Sequence, residues 1–326
     1  MKSKSCFFFI ILIVIPILSL SGQTNNNPLV GSKIDIWETD NWLAVDSVKY
    51  ELTIANKPLK YNRWIKEGAN WIMVSQMLYE YDTAQNITNR ISQYRDGNNW
   101  MNSERTIFDY NRYNDPISQI NQTWLNGQWE HSTQHQFIYA DSAELTALIS
   151  KRWRGNKWVN NEKVTNIFDK EEQVVSTVLQ VFIKGEWVNF SRYLMEYDKQ
   201  HNMLSQITQD ASGKEWETVF QVIWAYNEAN QKVTETNISW NDKLAQNQLK
   251  YTYQYDQKGN SNLALSQTWF QGGWQNEVKI ESIYDANNNK VSDLRQDWKD
   301  NKWNNAMRQF FYHQPLANLK GRTSFE

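Results

Sequence analysis

The chain has 326 residues and a formal net charge of −2, so it lacks the basic excess that would displace counterions from a phosphate backbone, and nucleic acid is excluded as a partner. A single cysteine, Cys6, rules out a disulfide framework. With 17 Trp, 16 Tyr and 13 Phe beside only 12 Gly and 5 Pro, aromatic rings must supply much of the buried area.

The chain opens with Lys2 and Lys4, an apolar run from Phe7 to Leu20, and then Ser21, Gly22 and Gln23. This order of charge, apolar run and small residues is that of a secretory signal peptide. The run is shorter than the ~20 apolar residues a spanning helix needs, and Pro16 interrupts it. Cleavage after Gly22 is expected. The mature chain would then have a net charge of −4 and no cysteine, hence no thiolate nucleophile or cysteine metal site and no transmembrane domain. The expected layout is a signal peptide over 1–22, a linker over 23–36 and one repeat array over 37–326.

The array shows a 29-residue period. Trp42, Trp71, Trp100, Trp129, Trp158, Trp187 and Trp216 keep that spacing, and Trp274 and Trp303 resume it after Ala245. Ten residues beyond eight of these ten slots stand Tyr81, Tyr110, Tyr139, Phe168, Tyr197, Tyr226, Tyr255 and Tyr284. A third ring precedes the first by five residues: Trp124, Trp153, Phe182, Trp240, Trp269 and Trp298. In the early units this slot reads as stretched, with Trp64 and Tyr94 seven and six residues ahead.

Between the paired rings lie Asn126-Gly127, Gly155-Asn156, Lys184-Gly185, Gln271-Gly272 and Asp300-Asn301, residues that tolerate positive φ and read as two-residue hairpin loops. With Asn126-Gly127 as the loop, Trp124 faces Trp129 in a non-hydrogen-bonded pair, where side chains approach most closely. The same alignment pairs Trp153 with Trp158, Phe182 with Trp187, Trp269 with Trp274 and Trp298 with Trp303, a structural aromatic ladder. It also sets Gln180 opposite Asn189, Gln267 opposite Asn276 and Gln296 opposite Asn305, then Leu265 opposite Val278 and Leu294 opposite Met307. At the other end of each unit, Tyr-Asp leads a polar stretch such as Tyr255-Asp256-Gln257-Lys258-Gly259-Asn260, where Asp accepts from backbone N–H groups two residues on and Gly or Asn takes the left-handed conformation.

Alternation at period two from Trp274 to Tyr284 rejects helix. The fold class is therefore all-β: an antiparallel meander of about ten hairpin repeats. So many twisted strands cannot stay flat, and the sheet is expected to coil into a superhelical or elongated shell-like form. A membrane barrel is disfavoured. From Trp129 to Tyr139, simple alternation puts His131, Thr133, His135 and Phe137 on one face and Glu130, Ser132, Gln134 and Gln136 on the other, neither fit for lipid.

No catalytic set or cofactor site emerges. His131 and His135, four apart on a strand, are separated by about 13 Å and cannot share a metal ion. Asp285, Asn287 and Asn289 open like a calcium loop but lack its Gly and its bidentate Glu, so turn capping is the expected role. No Ser has a nucleophile-elbow setting, and no carboxylate pair stands out. Trp37 and Trp224 fall outside the main pattern and are the candidates for an exposed, ligand-binding ring.

Trp124-Leu125-Asn126-Gly127-Gln128-Trp129 and Tyr255-Asp256-Gln257-Lys258-Gly259-Asn260 resemble the repeats of secreted tandem-repeat proteins associated with type IX export in Gram-negative bacteria. More distantly they are similar to the Tyr-Asp repeats of RHS-type shells, though the period is longer, glycine is scarce and no toxin region is present. The resemblance covers the chain from about Trp37 to Phe325. It implies a surface or extracellular role and brings no catalytic residue, while the absence of a recognisable sorting domain keeps the periplasm open and the uniform array, with no odd chemical site, points away from an enzyme. Two roles follow as expectations: a scaffold or adhesion protein with an extracellular protein partner, or a carbohydrate-binding surface using Trp and Tyr.

Overall fold

The computed structural model describes residues 28–53, 55–140, 144–241 and 243–313. The signal peptide and Cys6 lie outside the described residues. Ten hairpins repeat without interruption, each a ten-residue strand followed by a twelve-residue one, from β1 (Leu29–Glu38) and β2 (Asn41–Leu52) to β19 (Lys290–Lys299) and β20 (Lys302–His313). Every strand pairs antiparallel with its sequence neighbours, and β1 pairs with both β2 and β20. The expected coiling thus takes the form of closure, a 20-stranded barrel, which leaves no free edge to template aggregation.

Closure corrects the layout read from the sequence. Residues 29–36, taken as linker, form most of β1, because Trp37 is itself a ladder residue: it faces Trp42 across the first tight turn, ring centroids 5.0 Å apart. Within the first hairpin, Gly31 fits because a Cβ there would sit 2.6 Å from the Val48 carbonyl oxygen of β2.

The tight turns have the positive φ their residues suggested, as at Asn126 (50°) and Gly127 (80°). Trp124 pairs with Trp129, and Gln180, Gln267 and Gln296 meet Asn189, Asn276 and Asn305 as expected, with amide hydrogen bonds of 3.0 Å. Beyond that point the expected register fails. Leu265 pairs with Lys279 and Leu294 with Arg308, because each longer strand carries one extra residue, a β-bulge, at positions such as Ser132, Phe190 and Glu277. The bulge also reverses alternation, so His131 lies on one face while Thr133 and His135 lie on the other.

Following a row of partners across the sheet, Lys33, the fifth residue of β1, meets Ser47, which meets Trp64, the seventh residue of β3 (Pro58–Glu67). The register thus climbs two residues toward the tight turns per hairpin. The seam obeys the same rule, since Arg308 meets Asp35, the seventh residue of β1. Ten steps give a shear of about 20, equal to the strand number, and barrels with that equality tilt their strands by about 36°.

Handedness then decides which face is outside. Seen from outside a barrel, right-twisted strands lean rightward and hydrogen-bonded rows climb leftward. The rows here climb with strand number when the tight turns are uppermost, so the chain advances leftward. For an L-residue facing the viewer on an upward strand, the non-hydrogen-bonded neighbour also lies to the left, which is where Trp129 must lie from Trp124. The tryptophan ladder is therefore on the outer face. The other face lines a lumen, and its Val48, Val164, Val222 and Ile280 are only half-buried, as a water-accessible interior requires. Among described apolar residues only Ala147 and Leu148 are buried.

Without a packed core, the wall is held by interactions that recur from unit to unit. Six hairpins carry edge-to-face ring pairs at 4.9–5.0 Å, each worth about 0.5–1.5 kcal/mol beyond area burial. The second and third hairpins are not stretched, as the sequence suggested. Lys66 and Arg95 occupy the missing ring's slot and lie over Trp71 and Trp100 at 5.4 and 5.9 Å. At the other rim, Tyr81, Tyr110, Tyr139, Tyr197, Tyr226, Tyr255 and Tyr284 each donate a hydroxyl proton to the carbonyl oxygen of their unit's first residue, at 2.6–3.1 Å. His313 Nε2 takes the same place on Lys290 at 2.8 Å.

Candidate functional site

The two rims differ. At the longer turns the entrance Asp behaves as expected: Asp256 Oδ1 accepts from the backbone N–H of Lys258 and of Asn260, both at 2.9 Å. Asp198 and Asp285 do the same. These bonds hold the carboxyls of Asp82, Asp198, Asp256 and Asp285 below the usual carboxylate range, with the neighbouring Asn as the largest cause. Successive turns are stitched together, for example by Asn202 Nδ2 donating to Asn230 Oδ1 at 3.1 Å. The Asp285, Asn287, Asn289 turn is capped in this way. Among the described residues no group of three His, Cys, Asp or Glu could hold a metal ion.

The tight-turn rim is the mouth opposite the one where the described residues begin, at β1, and end, at β20. Beside the turns, the lumen-side positions carry Leu43, Ile72, Tyr94, Leu125, Ile183, Val188, Leu244 and Phe270, exposed by 40% to 74%. The first three belong to an oblique apolar belt that includes Ile36, Ile65 and Met101. An exposed apolar concentration of this kind is unusual for a surface facing only water.

One segment of the lip is polar. Between hairpins β7 (Pro116–Leu125)/β8 (Gln128–Tyr139) and β9 (Leu145–Arg154)/β10 (Lys157–Phe168) lies a groove of about 370 Å³, lined by Thr123, Leu125, Glu130, His131, Ser132, Thr133, Arg152, Trp153 and Arg154. The His131 ring packs against Trp153 and Trp158, centroids 4.8 and 5.2 Å away, and Nδ1 lies 3.3 Å from Gln122 Nε2.

Of the two rings proposed from sequence, Trp37 belongs to the ladder, and Trp224 is half-buried with Nε1 donating to Glu235 Oε2 at 3.0 Å. Neither stands open. The exposed tryptophan is Trp71, whose ladder partner is a lysine. The structural ladder residues all take their expected places.

Below the groove, His135, Ser150 and Glu162 share one row on the lumen side. His135 is 8% exposed and its Nδ1 has no partner, and burial lowers its pKa against an opposing pull from Glu162. Ser150 and His135 share a row without a hydrogen bond between them.

No family model and no curated protein matches this chain. Solved structures with some likeness include a porin-like protein from Bacteroides uniformis, 7% identical, covering 89% of this chain and 99% of that one at a TM-score of 0.35. The TcdB2-TccC3 structure is 9% identical over 81% of this chain and 19% of its own, at 0.32. A protein of unknown function from Bacteroides fragilis is 12% identical over 38% and 93%, at 0.30.

Proposed function

We propose that the protein is a secreted, non-enzymatic interaction scaffold of the bacterial cell surface that seats an extracellular protein on its tight-turn mouth. The supporting observation is the apolar lip: Ile183, Leu244 and Phe270 stand beside their turns at 49%, 74% and 55% exposure, away from the ladder that holds the wall together. Large side chains placed this way raise the cost of solvation without contributing to the repeat, and they have the character of buried anchors at a protein interface. The outer wall suits an aqueous setting. Its middle ring, which includes Gln76, Arg105, Lys163, Arg192, Lys250 and Arg308, is polar throughout and gives no apolar band for lipid.

The test is adhesion. Beads coated with the purified protein should bind intact cells bearing the partner, and the double variant L244S/F270S should abolish that binding with its near-ultraviolet circular dichroism intact. Undiminished adhesion by the variant, or turnover of a substrate by the wild-type barrel, overturns the reading.

A further inference from the structure

We infer that the polar groove between the fourth and fifth hairpins is a binding site for a carboxylate-bearing saccharide. This rests on the barrel being an outward-binding protein, but not on its apolar lip.

The repeat supplies its own control. Residues that maintain the wall recur every 29 positions, whereas the groove's two arginines do not. Of the ten units, only the fifth places arginine both at the tip and two residues before it, as Arg154 and Arg152, both on the lumen side. The repeat does not need these two arginines.

Their charge arrangement is unfavourable as it stands. Arg152 and Arg154 leave the same face of one strand about 7 Å apart, and Arg154 pairs directly with Lys157 across the tip. Like charges placed opposite each other destabilise a sheet. None of the three takes part in an ion pair among the described residues. An anion between them removes that repulsion, and guanidinium forks match a carboxylate.

The opposite wall indicates what carries the anion. Glu130, Thr123, Ser132 and Thr133 offer a carboxylate acceptor and three hydroxyls. Glu130 would repel a polyanion lying flat, but it accepts from sugar hydroxyls. The volume, about 370 Å³, falls in the range of small-molecule sites, which often occupy barrel mouths.

Isothermal titration with trigalacturonate and with maltotriose tests this. Binding of the acidic trisaccharide alone, weakened about tenfold or more in R152Q/R154Q and by added salt, is the expected result. The control K299Q/K302Q removes the other cross-strand cation pair, which has Asp297 and Asp300 beside it, and should bind as wild type. Near-ultraviolet dichroism confirms that each variant is folded. Absence of binding, equal binding of the neutral sugar, or equal loss in both variants overturns the proposal. Because L244S/F270S leaves the groove intact, it should still bind trigalacturonate, which separates failure here from failure of the lip.

Discussion

Arg308 of the last strand lies over the Trp42 ring of the first hairpin, 4.6 Å from its centroid, while donating to Asp35 at 2.8 Å. The same offset sets Arg105 over Trp129, Arg192 over Trp216 and Lys279 over Trp303. The seam is therefore one more junction of the array.

At the seam, however, the cation also neutralises a carboxylate that is only 1% exposed. Arg308→Gln leaves Asp35 with Lys33 alone, at 3.1 Å. Losing one partner of a buried pair costs about 3 kcal/mol. The urea midpoint should fall accordingly, and R308Q/D35N should recover part of the loss. Equal midpoints for R308Q and wild type would contradict this role.

The Trp124/Trp129 pair should show a coupling of about 1 kcal/mol in a double-mutant cycle with W124L and W129L. Either substitution should also remove part of the indole signal in near-ultraviolet dichroism.

Ala245 leaves Trp240 without its ladder partner, and the Trp240 Nε1 is buried with no hydrogen bond. Ala245→Trp should therefore stabilise the barrel by about 1 kcal/mol by restoring the pair. A lower thermal midpoint would show that this slot is not interchangeable with the others.

The hydroxyl of Tyr255 donates to the Lys232 carbonyl at 2.7 Å. Tyr255→Phe should cost about 1 kcal/mol, the net worth of a typical hydrogen bond, read from chemical denaturation.

Stability should fall on the alkaline side. Burial raises the phenol pKa of Tyr81 to about 12, and raises those of Tyr50, Tyr79 and Tyr193. An unfolded phenol ionises near 10, so between pH 10 and 12 the unfolded chain releases protons that the folded one keeps, and stability drops with rising pH. The depressed turn carboxyls act oppositely: their contribution is present above about pH 4 and fades below it. Denaturation midpoints measured from pH 3 to 11.5 should trace a plateau with both shoulders.

Much of the wall was legible in the sequence because local chemistry sets it. Tight turns need residues such as Asn126 and Gly127, rings flank them, and Asp256 caps the longer turn. The bulge was not legible, because its residue has no constant character: Ser132, Phe190 and Glu277 occupy equivalent places. Missing it misassigned His131 to the face of Thr133. Closure was hidden because it depends on the register summed over all ten units, which no single unit displays. Trp37 was misjudged because its strand was taken for linker, and the groove was missed because Arg152 and Arg154 are distant from Glu130 and Thr133 in sequence but adjacent across hairpins.

The constant climb of two residues per hairpin has a consequence for how such a molecule changes over generations. Adding or deleting one whole unit alters shear and strand number together, so tilt and local packing stay the same while the bore widens or narrows. Copy number in the gene thereby sets the width of the pipe, and in-frame duplication of a single unit resizes it without redesigning any contact.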